Sequence, residues 1–167
     1  MISALLTLFV LGGINAASAS AANQVTLGVS HDAFNHSCAT PEGNRTSNGT
    51  VVTVWPCTGS SLQTWYMTAD GYVTHPASGK CLTPSGNASG TNGAVLTLWT
   101  CDYGNPNSPQ RFTGDGAGFR TVNGGKCVTN KGNSWANGTW LTLWTCPSSP
   151  PTPSVQRWEM IYSGWIV

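Results

Sequence analysis

The sequence predicts an all-β fold built from three copies of one unit. The first observation is a long gapped motif that runs three times through the chain: C-x-T-x-x-G-N, three or four residues, then N-G-[TA]-[VW]-[VL]-T-[VL]-W-x-C. After five to nine further residues comes Q-x-[WF], as Gln63-Thr64-Trp65, Gln110-Arg111-Phe112 and Gln156-Arg157-Trp158. The second is composition: 20 Gly and 10 Pro beside only 8% charged residues describe a turn-rich β protein. The third is that six cysteines fall two to each copy.

The motif starts at Cys38, Cys81 and Cys127, so 43 and then 46 residues separate successive copies. A fixed period of this length is the signature of a repeat architecture. Three such copies suit a threefold barrel with a cap, whereas a propeller needs more blades and more chain. Within each copy an Asn-Gly turn (Asn48-Gly49, Asn92-Gly93, Asn137-Gly138) precedes a β-rich stretch at 51–55, 95–99 and 140–144. There Thr alternates with apolar residues, the period of a half-buried strand. A second turn follows each Q-x-[WF]: Asp70-Gly71, Asp115-Gly116 and Ser163-Gly164. Tyr72, Phe119 and Trp165, just beyond, are expected to pack inward. No stretch carries helical periodicity with caps, so no helix is expected. One unit cannot bury its own apolar face, and three together close a core.

Six cysteines allow 15 pairings. The two in each copy lie 19 or 20 residues apart, and closing each loop on itself is the simplest scheme: Cys38–Cys57, Cys81–Cys101 and Cys127–Cys146. In the chain-entropy model each such loop contributes about 3 kcal/mol. That offsets a core diluted by glycine and polar residues.

Residues 1–21 read as a signal peptide. An apolar run at 4–14 precedes small-x-small cleavage options ending near Ala21, although no basic residue opens the segment. The run is about half the ~20 residues that span a bilayer. A secreted, disulfide-bonded domain over 22–167 is expected, with repeats at about 25–70, 71–116 and 117–167. Seven Lys and Arg against six Asp and Glu leave a net charge of +1, too little for a nucleic-acid face. No membrane partner, metal or cofactor is implied.

The motif, with V-x-L-W-x-C and Q-x-W three times over, resembles the ricin B-type lectins, the (Q-x-W)₃ family also met as carbohydrate-binding module 13. The resemblance runs from about Val25 to Val167. It implies a β-trefoil with a shallow carbohydrate site in each repeat, usually for galactose-type sugars. The family's stacking aromatic, two residues before the second Cys, corresponds to Trp55, Trp99 and Trp144. An aromatic ring covers the apolar face of a sugar, and one carboxylate or amide fixes its hydroxyls. At the position of the family's acid this chain has Thr40, Thr83 and Thr129. At the family's Gln it has Thr53, Thr97 and Thr142, and at its Asn Leu62, Pro109 and Val155. The aromatic platform is kept in all three copies and the polar anchors are changed in all three. The third copy is the best candidate, because Asn130 and Asn133 offer amides and Trp135 and Trp140 add aromatic surface. Against this stands a purely structural reading, in which the three Thr pair with backbone and the Trp are packing. The Q-x-[WF] residues themselves read as structural.

N-glycan acceptor triplets occur at Asn35, Asn44, Asn48, Asn87 and Asn137. Glycans on Asn48 or Asn137 are expected near the Trp55 and Trp144 platforms. His31, His36 and His75 sit at unrelated points of the repeat and read as surface residues. The six acids (Asp32, Glu42, Asp70, Asp102, Asp115, Glu159) show no paired plan of the kind a glycosidase needs. With every cysteine paired no thiol nucleophile remains, and the chain is not expected to be an enzyme. Two readings follow. One is a secreted, non-catalytic carbohydrate-binding domain. The other is a trefoil that binds a protein, such as a protease or hydrolase inhibitor or an effector; loss of all three acids and the Pro-rich insert at 147–154 favour it.

Overall fold

The computed structural model describes residues 25–30, 36–114, 118–148 and 153–162. The expected signal peptide, His31, Asp32, Asn35, the Asp115-Gly116 and Ser163-Gly164 turns, Trp165 and the middle of the Pro-rich insert lie outside them. Among the described residues twelve strands form three four-stranded antiparallel sheets. The first holds β1 (Val25–Ser30), β2 (His36–Pro41), β3 (Val52–Pro56) and β12 (Glu159–Tyr162), in the order β12-β1-β2-β3. The second holds β4 (Tyr66–Met67), β5 (Val73–His75), β6 (Lys80–Pro84) and β7 (Leu96–Trp99) in chain order. The third holds β8 (Phe112–Gly114), β9 (Phe119–Thr121), β10 (Lys126–Asn130) and β11 (Leu141–Thr145), ordered β11-β10-β9-β8. β12 pairs with β1, so the segment after the third Q-x-W completes the first sheet.

Equivalent registers show the threefold plan. Cys38 faces Trp55, Cys81 faces Trp99 and Cys127 faces Trp144; Thr40, Thr83 and Thr129 face Thr53, Thr97 and Thr142. The disulfides close Cys38–Cys57, Cys81–Cys101 and Cys127–Cys146, with Cα atoms 5.0, 5.1 and 5.1 Å apart. The core resolves into five triplets: Ala39, Leu82 and Val128; Val52, Leu96 and Leu141; Val54, Leu98 and Leu143; Leu27, Val73 and Phe119; and the Q-x-[WF] aromatics Trp65, Phe112 and Trp158. Tyr72 is also buried. This is a β-trefoil.

Three details depart from the sequence reading. Among the described residues there is no α-helix, but short 3₁₀ turns occur, including Glu42–Asn44, Ser85–Asn87 and Lys131–Asn133. Each contains the Gly-Asn pair of the motif with both residues at positive φ (Gly43 61°, Asn44 57°), which Gly and Asn tolerate best. The β-rich stretch is covered on both faces, since Thr53, Thr97 and Thr142 are as buried as the apolar residues between them. Their hydroxyls donate to the carbonyls of Thr40, Thr83 and Thr129. His75, finally, is fully buried. It packs 4.8 Å from the Trp65 ring, with Nε2 3.0 Å from the Leu62 carbonyl and Nδ1 2.9 Å from the Ser78 hydroxyl. Burial pushes its pKa below the usual histidine value, and the Leu62 contact opposes this more weakly.

Candidate functional site

The first and third repeats each build a cleft from their own Gly-Asn turn, the Trp at the strand end and the loop that leads to Q-x-[WF]; the second repeat carries the equivalent residues around Trp99. The register places Trp55, Trp99 and Trp144 opposite a cysteine, on the side away from the core, where they are 42, 49 and 51% exposed. Indole rings left this open beside a concavity offer an apolar face to a ligand.

The floor is the same in all three repeats and is held by the motif glutamine. In the third, Gln156 Nε2 donates to the Thr129 hydroxyl at 2.9 Å and to the Thr145 carbonyl at 3.1 Å. Thr129 in turn donates to the Cys127 carbonyl at 2.9 Å. Gln110 Nε2 treats Thr83 and the Thr100 carbonyl alike, and Gln63 Nε2 treats Thr40 and the Pro56 carbonyl alike. Thr83 and Thr40 donate to the carbonyls of Cys81 and Cys38. Each threonine hydroxyl thus gives its one proton to backbone and uses one lone pair on glutamine. It is nearly buried, and in the first and third repeats Thr40 and Thr129 line the base of the cleft on the same sheet face as the tryptophan. The glutamine–threonine pairing was not anticipated, although both residues are motif positions and their coincidence was the available signal.

The rims differ. The third cleft has a volume of about 950 Å³ and is lined by Trp144, Trp135, Asn133, Lys131, Pro147, Pro153 and Ser154 among others. The first has about 470 Å³ and is lined by Trp55, Asn44, Thr58, Ser60 and Leu62, with Asn137 from the third repeat. Two residues expected to serve the third cleft do other work. Asn130 is 1% exposed: its Oδ1 accepts from Trp158 Nε1 at 2.9 Å and its Nδ2 donates to the Ser134 carbonyl at 2.9 Å. Asn130 thus lies at the base of the cleft with its amide already bonded on both atoms. Trp140 turns toward the first repeat, where its Nε1 donates to Glu42, with Lys131 Nζ 4.2 Å from the ring centre. Asn133 is exposed at the rim, and Trp135 stacks on Trp158 while lining the cleft.

The Asn-Gly turns lie over the neighbouring repeat rather than their own. Backbone bonds run from Gly49 to Leu98, Gly93 to Leu143 and Gly138 to Val54, each N–H to a carbonyl. Gly49, Gly93 and Gly138 have φ of 82–83°, as the third position of a type II turn requires. Asn48 bonds Thr100 beside Trp99, Thr145 beside Trp144 bonds Asn92, and Asn137 lines the Trp55 cleft. The expectation for glycans is corrected accordingly: Asn48 borders Trp99, Asn137 borders Trp55, and neither borders Trp144.

Among the described residues no group of three or more His, Cys, Asp or Glu is placed to hold a metal ion, and no helix is long and apolar enough to cross a membrane. Glu42 pairs with Arg45, and Asp102 accepts from Asn105 and Ser108 within its own loop.

A family model described as the ricin-type β-trefoil lectin domain matches residues 26–158. A search of curated proteins returned no significant match. Among solved structures, the designed threefold-symmetric protein ThreeFoil superposes with a TM-score of 0.67 at 20% identity, covering 83% of this chain and 98% of its own. The C-half of an earthworm R-type lectin, in complex with GalNAc, superposes with a TM-score of 0.65 at 12% identity, covering 84% and 99%. A non-toxic homologue of type II RIPs from Momordica charantia (bitter gourd), in complex with α-methyl-D-galactoside, gives 0.65 at 20% identity; 84% of this chain matches 49% of that one.

Proposed function

Because the chain belongs to the ricin-type β-trefoil lectin family, we propose that it is a secreted, non-catalytic carbohydrate-binding domain whose working site is the third-repeat cleft. The observation that carries this is Trp144, 51% exposed along a cleft of about 950 Å³. Trp144 stacks on the apolar face of a sugar ring, and Asn133 and Ser154 supply donors and acceptors around it. The galactose-type ligands of the earthworm and bitter-gourd structures support that sugar class. Three disulfides support an oxidising, extracellular setting. The expected signal peptide at 1–21 and mature domain at 22–167 complete the reading.

The floor sets the affinity. A hydrogen bond to a carboxylate contributes about 1.5–3 kcal/mol, against about 1 for a neutral one, and Thr129 has already spent its proton on Cys127. Simple galactosides therefore bind weakly, and a longer oligosaccharide that also reaches Trp135 binds better. A glycan array with the recombinant, deglycosylated protein tests the reading. Binding to galactose-terminated glycans supports it; an empty array sinks it.

The backbone commitment of all three threonine hydroxyls favours a second reading, a protein-binding trefoil such as a secreted protease or hydrolase inhibitor or an effector. Inhibition of common secreted proteases by the same preparation, with no glycan bound, selects it.

A further inference from the structure

Two asparagines accompany each tryptophan platform. One comes from the repeat's own Gly-Asn turn: Asn44 lines the first cleft and Asn133 the third, and Asn87 holds the equivalent turn position of the second repeat, with φ of 57, 56 and 59°. The other comes from the Asn-Gly turn of the adjoining repeat: Asn137 at the first cleft, Asn48 bonded to Thr100 beside Trp99, and Asn92 bonded to Thr145 beside Trp144. The structure thereby sorts the acceptor triplets. Asn44-Arg45-Thr46 and Asn137-Gly138-Thr139 flank Trp55, while Asn87-Ala88-Ser89 and Asn48-Gly49-Thr50 flank Trp99. At Trp144 both are broken, as Asn92-Gly93-Ala94 and Asn133-Ser134-Trp135.

We propose that N-glycans on these asparagines cover the first cleft and the Trp99 platform and leave the third cleft as the single open site, so that the secreted chain is monovalent. The four acceptor side chains are exposed. In the modification an oligosaccharyl group moves from a lipid diphosphate donor to the amide Nδ2. The sugar C1–N bond forms, the C1–O bond to the diphosphate breaks, the lipid diphosphate leaves and the amide gives up one proton. The modified amide of Asn48 keeps its carbonyl oxygen, which still accepts from the Thr100 hydroxyl 3.4 Å away. A branched glycan rooted beside Trp99 or Trp55 occupies the space that a bound sugar would need. The masking itself is independent of the sugar-binding reading; its consequence, a single binding site, rests on that reading.

The test uses the full chain secreted from a host that N-glycosylates. Enzymatic glycan release in heavy-oxygen water, followed by peptide mapping, reads occupancy. Hydroxyl-radical oxidation before and after release reads exposure of each indole. The expected result is a glycan on Asn44 or Asn137 and on Asn48 or Asn87. Oxidation of Trp55 and Trp99 rises several-fold on release, and Trp144 oxidation does not change. Bare acceptors beside either indole, or indoles indifferent to release, overturn the proposal. Ala94→Thr restores the triplet at Asn92 and is expected to add a glycan and protect Trp144; Thr50 and Thr139 hold this position in the other repeats, so the fold accommodates it. Occupied acceptors with shielded rings but an empty glycan array leave the masking intact and overturn the lectin reading. Sugar binding by a chain with bare acceptors does the reverse.

Discussion

The clefts of the first and third repeats share a floor and differ at the rim. Both floors are a threonine hydroxyl held between a cysteine carbonyl and the motif glutamine. The first rim carries two glycan acceptors and a short loop through Thr58, Ser60 and Leu62; the third carries none, adds Trp135 and opens to twice the volume. The floor is tied to the disulfide and the core, and the fold requires it three times. The rim is largely exposed and lies outside the repeated core and floor, and there the repeats are free to diverge. Function is therefore to be sought in what differs between repeats.

Substitutions in the shared part measure how far the equivalence goes. Trp65→Ala and Trp158→Ala each remove a fully buried indole, with an expected loss of about 3–5 kcal/mol by chemical denaturation. Each also removes a buried indole N–H bond, to the Ala39 carbonyl or to Asn130 Oδ1, so similar losses are expected. Gln63→Ala and Gln156→Ala strip the floor of its donor and are expected to cost about 2–3 kcal/mol each, alike within ~1. A large difference between them breaks the claim of a common floor.

Thr129→Asp sharpens the comparison from the other side. The carboxylate still accepts from Gln156 but no longer donates to Cys127, so stability falls by about 1 kcal/mol. Its free oxygen faces the cleft, and galactoside affinity in titration calorimetry is expected to rise about tenfold. Thr40→Asp in the glycosylated protein is expected to change galactoside binding little, since its cleft is covered.

The smallest effect distinguishes the two repeats by pH. His75 supports the Leu62 carbonyl in the wall of the first cleft. Its folded pKa lies below the ordinary value of 6.5, so as pH falls through about 6.5 the unfolded chain takes the proton first. Stability is complete above that pH and declines below it. His75→Gln is expected to flatten the decline in melting temperature between about pH 7 and 5, and an unchanged slope removes His75 as its cause.

Much of this was legible in the chain. The Cys and Trp positions, the Q-x-[WF] core and the three-sheet plan follow from a motif whose period and chemistry agree. The direction of the ring did not follow: equal spacing does not say that the Asn48 turn covers Trp99 rather than Trp55. Nor did the use of each polar group. Asn130 reads as a free amide until the Trp158 N–H is found against it, because a buried donor takes whichever acceptor packing brings near. His75 reads as surface until its strand is seen to lie over Trp65. Local patterns determine elements; contacts between repeats determine which side chains remain for a ligand.

The most direct test of the third cleft is a glycan array on three folded, deglycosylated variants, Trp55→Ala, Trp99→Ala and Trp144→Ala, beside the parent. Trp144→Ala is expected to lose at least several-fold in binding, while the other two lose less. A folded Trp144→Ala that binds glycans as well as the parent contradicts the account.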